Sequence, residues 1–176
     1  TIVRAVPELI LILILYFAFT SSVNNLLLAW GYERIQISGF VAGIVVLGVV
    51  QGAYATEVLR GAILSVPPGQ IEAARAMGMP PLMLAWRVTL PQMLAAAIPG
   101  LANLWLIATK DTALLAVVGY AELTLVTRQA ASTSKAYFTF FLAAGAMYLA
   151  ISVLSTLLFG RIEAWARCGQ VRPGGS

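Results

Sequence analysis

Histidine is absent from this chain of 176 residues, cysteine occurs once, at Cys168, and charged side chains make up only 10% of the sequence. Without histidine, Ser-His or Cys-His catalysis and histidine-ligated metal sites are excluded within the chain. A lone cysteine excludes an internal disulfide. A charged fraction of 10% falls far short of the quarter or so found in soluble domains, and 60% hydrophobic content with a mean hydropathy of +0.89 leaves too little polar surface for a water-soluble fold. The net charge is +4, yet the basic residues stand beside apolar runs and form no patch interleaved with aromatics, so nucleic acid is not the expected partner. Also missing are an initiator methionine and a secretory signal with a basic n-region and a cleavage site. Thr1 opens directly into apolar sequence, which we read as a truncation with one or more N-terminal spans missing.

Long charge-free runs are what the sequence does have. A bilayer core of about 30 Å is crossed by roughly 20 apolar residues in helix, and four stretches qualify, at about residues 2–20, 36–58, 90–109 and 136–160. The first has the look of the back portion of a span, its dense apolar part ending near Phe19. The second carries Gly39/Gly43 and Gly48/Gly52, small-xxx-small pairs that let helix backbones approach. The third holds Pro99-Gly100, where a kink or local unwinding is expected. Residues 113–126 are too few to cross and predict a short, partly buried helix. No repeat of 20–50 residues and no low-complexity linker interrupts this membrane-spanning domain of residues 1–160, and residues 161–176 form a tail whose last part, Gln170–Ser176, reads as disordered.

Arginine placement orients the spans. Arg60, Arg75 and Arg87 lie in the loop 60–90, and Arg161, Arg167 and Arg172 in the tail, against Arg34, Arg128 and Lys135 on the other side. The excess puts the loop and the C-terminus in the cytoplasm.

The loop itself is punctuated for a compact shape. Pro67-Pro68-Gly69 stops the preceding helix, Gln70–Met77 suits a short one rich in alanine, and Gly78 stands where a left-handed residue ends it. Pro80-Pro81 can open a second helix, on which Leu82, Ala85, Trp86 and Thr89 make an apolar stripe at helical spacing. Such a pair of helices is either a knob that seats in a soluble partner or an amphipathic linker lying on the membrane.

Residues 72–91, EAARAMGMPPLMLAWRVTLP, decide between these. Glu72-Ala73-Ala74, then Gly78 after three residues, then Val88-Thr89-Leu90-Pro91 after nine more, resemble the EAA-x3-G-x9-I-x-L-P signature of bacterial ATP-binding-cassette (ABC) importer permeases, with Val88 for Ile. VRAVPELILILILYF resembles the Arg-Gly-x-Pro stretch of permeases for polar amino acids, with Ala5 for Gly. YATEVLRGAILSVPPGQIEAA and KDTALLAVVGYAELT are similar to further segments of that branch, the latter with Ala113 for Ser. The resemblance covers essentially the whole chain. It implies an all-α, type I importer transmembrane domain in the bacterial inner membrane. Gly69, Glu72, Ala73, Ala74, Gly78, Leu90 and Pro91 would then couple to an ATPase. The implied partners are a cytoplasmic ABC ATPase dimer, a second permease copy or homologue, an extracytoplasmic solute-binding protein and membrane lipid. No cofactor is expected in this chain, since ATP and magnesium would sit on the ATPase.

Ionisable groups at membrane depth are expensive and point to function. Arg4 and Glu8, four apart, either neutralise each other on one helix face or leave Glu8 to meet a cationic substrate. Asn103, Lys110, Asp111 and Thr112 complete the candidate substrate path; Lys110 and Asp111, as neighbours, are expected to serve different partners or a non-helical turn, bracing the gate in preference to ligating the substrate directly. Glu57 reads as an interfacial charge beside Arg60. A basic amino acid or opine is the expected cargo; glutamine, glutamate or another small polar solute is the alternative. An ion-coupled transporter working alone would show inverted repeats with matching broken helices, and none is found. A membrane enzyme would need converging nucleophiles, bases or ligands that this composition withholds.

Overall fold

The computed structural model describes residues 6–167, so Arg4, Cys168, Arg172 and the Gln170–Ser176 stretch lie outside the described residues. The described residues build helices α1 (Glu8–Ala29), α2 (Gly39–Leu64), α3 (Pro68–Ala76) and α4 (Pro81–Leu84), a π-helical turn (Ala85–Thr89), then α5 (Leu90–Asp111), a 3-10 stretch (Thr112–Val118), α6 (Leu123–Ser134) and α7 (Tyr137–Ala166). Four runs, Glu8–Ala29, Gly39–Leu64, Pro81–Val118 and Tyr137–Ala166, are long and apolar enough to cross a bilayer. The fold is the all-α membrane architecture expected.

The helix bounds differ from those read in the sequence, each for a local reason. α1 starts at Glu8 rather than near residue 2, after Pro7 in extended conformation, and runs on to Ala29 instead of ending near residue 20. Its polar stretch stays helical because the side chains bond back to the helix: Thr20 Oγ1 donates to the Tyr16 carbonyl at 2.9 Å and Asn24 Nδ2 to that of Thr20 at 3.1 Å. Asn24 Oδ1 then accepts the Ile35 N–H at 2.9 Å, pinning the connection to α2. Gly31, at φ 83°, ends the helix, with Tyr32 N–H bonding to the Leu27 carbonyl. α2 starts after Ser38, whose hydroxyl accepts the Phe40 N–H, and persists to Leu64 because no proline intervenes before Pro67.

Of the kink or local unwinding expected at Pro99-Gly100, unwinding does not occur: α5 continues through Pro99 from Leu90 to Asp111. The irregularity sits before it, in the π-helical turn, where Leu90 N–H reaches back five residues to the Ala85 carbonyl. Pro91 has no N–H to offer the α-helical acceptor four residues earlier, which favours the wider turn there. The single helix expected over 113–126 is two elements. Gly119, at φ 80°, ends the 3-10 stretch, and Glu122 opens α6 by accepting the Thr124 and Leu125 N–H groups, both at 2.7 Å. α7 carries on past Arg161 to Ala166, so the first part of the expected tail is helical.

The chain divides into two compact units, Thr1–Ala53 with Leu106–Ser152, and Tyr54–Trp105 with Val153–Ser176. Within the first, Ile12 of α1, Val46 of α2 and Leu115 of the 3-10 stretch form a buried core. Between apolar chains in lipid, contact rests on shape rather than on expulsion of water, and glycine provides the shape. A Cβ on Gly43 would stand 2.7 Å from Leu115 Cδ1, and one on Gly39 3.4 Å from Tyr120 Cβ. The Gly39/Gly43 pair is therefore a packing face, whereas a Cβ on Gly48 or Gly52 would meet nothing within 4 Å among the described residues. Tyr148 of α7 donates to Glu122 Oε2 at 3.2 Å, which ties the α6 cap to α7.

Within the second unit, Gly100 of α5 lies against Val58 of α2, where a Cβ would come within 2.5 Å of Val58 Cγ1. Trp105 donates its indole N–H to Ser155 Oγ at 3.1 Å and stacks at a tilt on Phe159, joining α5 to α7. Glu57 and Arg60 form an ion pair at 3.0 Å on the surface of α2, as their spacing suggested.

Candidate functional site

In the first unit, three polar side chains from three elements converge. Glu8 opens α1, where an acidic group is favoured by the unpaired N–H groups of the first turn. Asp111 closes α5 and is buried, and Gln51 comes from α2. Gln51 Nε2 donates to Asp111 Oδ2 at 2.9 Å, and the Glu8 carboxyl is near enough to interact electrostatically with that of Asp111. Two carboxylates this close repel, and a cationic group between them removes that repulsion.

The remaining candidates of the substrate path separate from this cluster. Lys110 is exposed while Asp111 is buried, so these neighbours do turn to different surroundings. Thr112 spends its hydroxyl on the Thr109 carbonyl at 2.7 Å. Asn103 is exposed and belongs to the second unit. Arg4 falls outside the described residues, and with it the expected pairing with Glu8. Sequence reasoning passed over Gln51. The available signal was an amide in an otherwise apolar run, whose four hydrogen-bonding positions need partners at that depth.

The second unit holds the segment expected to couple to an ATPase. α3 opens on Pro67 as N-cap with Pro68 in its first turn. It ends at Gly78, φ 76°, with Gly78 N–H bonded to the Arg75 carbonyl at 2.9 Å and Met79 N–H to that of Ala74 at 3.2 Å. This is the left-handed Schellman ending that only glycine adopts without strain. α3 packs on α4 and the π-helical turn, with Ala74 and Leu84 buried. Of the Glu72-Ala73-Ala74 triplet only Ala74 turns inward; Glu72, Ala73, Gly69 and Gly78 are exposed, as is Pro91, while Leu90 is half-buried. The second helix is not separate, because α4 passes through the π-helical turn into α5. That turn breaks the regular stripe, leaving Thr89 half-buried. Met77, Leu82 and Trp86 are 79%, 73% and 65% exposed, an apolar surface on a segment bearing Arg75 and Arg87. Apolar patches of that kind mark sites of association.

Helices long and apolar enough to cross a bilayer, interrupted by a compact, exposed helical segment, are the architecture of a multi-pass membrane subunit. The chain belongs to the family of binding-protein-dependent transport system inner membrane components, whose model it matches over residues 1–167. It is 42% identical over 174 residues to the nopaline transport system permease protein NocQ of Agrobacterium fabrum, covering 96% of this chain and 72% of that one. It is 35% identical over 188 residues to the arginine ABC transporter permease protein ArtQ of Escherichia coli K12, covering 98% and 78%. The crystal structure of an amino acid ABC transporter with histidines matches with a TM-score of 0.74 at 30% identity, over 93% of this chain and 71% of that one. The chain is accordingly a permease subunit of an ATP-driven importer, not an enzyme.

Proposed function

We propose that this permease carries a basic amino acid or an opine inward, and that Glu8 and Asp111 receive its cationic group. The observation that carries the reading is the approach of these two carboxyls, 103 positions apart in the sequence, in a unit otherwise packed with apolar side chains. A cation burying its charge in such a site finds acceptors that a neutral amide solute would not need. The names of the nopaline and arginine relatives support the same class of cargo. ATP and its magnesium belong in this reading to a cytoplasmic ATPase dimer, which seats on the segment around Gly78, Met77 and Leu82. A second permease copy or homologue completes the pore, and a solute-binding protein delivers the cargo from outside. Closure of the ATPases shifts the coupling segments, and α5, continuous from Leu90 to Asp111, carries the movement to the carboxyl pair. The importer alternates between two rigid-body states.

Glu8→Gln tests the cargo. Uptake of arginine into proteoliposomes should fall by about tenfold or more, as the loss of a charge-assisted hydrogen bond dictates, while basal ATP hydrolysis stays unchanged. Undiminished uptake would remove Glu8 from the pathway.

Orientation is tested separately. With the loop and C-terminus cytoplasmic, cysteines placed at Gly69 and at the exposed Tyr32 in a Cys168-free background should label differently. Only the Tyr32 position should react with an impermeant thiol reagent added outside whole cells; labelling at Gly69 alone would invert the topology.

A further inference from the structure

Gln51 Oε1 is shielded from solvent and accepts no hydrogen bond among the described residues. A buried amide oxygen left in that condition costs free energy, and at membrane depth no bulk water offsets it. The other half of the same amide is fixed, because Nε2 must face the Asp111 carboxylate, to which it donates at 2.9 Å. Reversing the amide would set two oxygens against each other. The bond lengths of an amide place its oxygen about 2.2 Å from its nitrogen, so the unpartnered oxygen lies within about 5 Å of Asp111 Oδ2. It stands at the edge of the carboxyl pair with no local donor to turn to.

We propose that Gln51 is a specificity-determining residue of the cargo site, its Oε1 accepting an N–H of a substrate guanidinium held by Glu8 and Asp111. The inference rests on the carboxyl pair being the cargo site, and it narrows the cargo to guanidinium compounds. A guanidinium carries five N–H donors in one rigid plane and can serve several acceptors along its edge at once. The compact ammonium of lysine has three donors pointing apart from a single nitrogen, so that two carboxyls already engage most of them. The third acceptor therefore discriminates in favour of arginine and other guanidinium-bearing cargo.

Equilibrium binding of radiolabelled arginine and lysine to the permease purified with its ATPase tests this, comparing wild type, Gln51→Met and Glu8→Gln. Methionine keeps the length and apolar stem of glutamine while removing the amide. Gln51→Met should weaken arginine about tenfold, the effect of one hydrogen bond to a charged group, and lysine less than twofold. Glu8→Gln should weaken both. Equal losses for the two ligands in Gln51→Met would mean that the amide only braces Asp111, and unchanged arginine binding would mean that it touches no cargo; either result overturns the proposal while leaving the carboxyl pair in place. If Glu8→Gln leaves both ligands unaffected, the carboxyl pair itself is not the cargo site, and the proposal falls with it. Thermal unfolding of each variant complex at the wild-type temperature confirms that the comparison is between folded proteins.

Discussion

Gly78→Asp should abolish cargo-stimulated ATP hydrolysis in the reconstituted importer while the permease still inserts into the membrane. The position has two properties that make the effect large. Its φ of 76° lies in the left-handed region, where a side chain adds a backbone cost of about 1 kcal/mol. A Cβ there would meet nothing within 4 Å inside this chain, so the fold of the permease has room for the substitution. Any further loss must come from what docks outside. An aspartate pressed into an apolar docking surface would bury an unpaired charge, which costs several kcal/mol. Gly78→Asn separates the two causes: asparagine has the same shape and tolerates the same backbone conformation, so it should retain most of the stimulation. If both variants couple normally, Gly78 lies outside the ATPase interface. If both fail alike, the charge is not the cause, and the presence of any side chain at this position explains the loss.

Gly100→Ala should be the most damaging single-methyl addition at a helix contact. The new Cβ would lie 2.5 Å from Val58 Cγ1. Valine is branched at Cβ and holds one strongly preferred rotamer in a helix, so the obstructing methyl cannot swing aside and the helices themselves must part. Overpacking of this kind costs about 1–3 kcal/mol. Gly43→Ala should be milder, because the atom in the way is Leu115 Cδ1, at the end of a longer and more mobile side chain. The measurement is the thermal unfolding temperature of the detergent-solubilised protein. A Val58→Ala/Gly100→Ala double variant should recover most of the loss by moving the missing volume from one helix to the other. A double variant no more stable than Gly100→Ala alone would show that the contact is not what limits stability.

The sequence by itself determined the class of molecule and its punctuation. Absence of histidine and scarcity of charge excluded most chemistry, and the apolar runs required membrane helices, because in lipid the backbone must bond within its own helix. Gly78 announced the end of α3 because only a residue without Cβ enters the left-handed region freely. Elements set by purely local rules were therefore legible. Less so were the helix bounds, since Thr20 and Asn24 keep α1 helical through side-chain bonds that a hydropathy count reads as polarity. Pro99 does not unwind α5, because neighbouring helices and carbonyl adjustments hold a proline-containing membrane helix together, while an irregular turn forms before Pro91.

Only the tertiary structure decided which polar residues act together. Glu8 and Asp111 are 103 positions apart, and the spacing rule that pairs Glu8 with a residue four away looks no further than one helix face. Gln51 carries no charge and no motif, and it acquires meaning only because folding sets its amide on Asp111 and leaves its oxygen buried. Likewise, two glycine pairs of the same form lie on α2, but only Gly39 and Gly43 meet a neighbour among the described residues. Spacing places residues on a face of a helix; which face is covered depends on the helices that pack there, and that is settled by the shapes of distant segments.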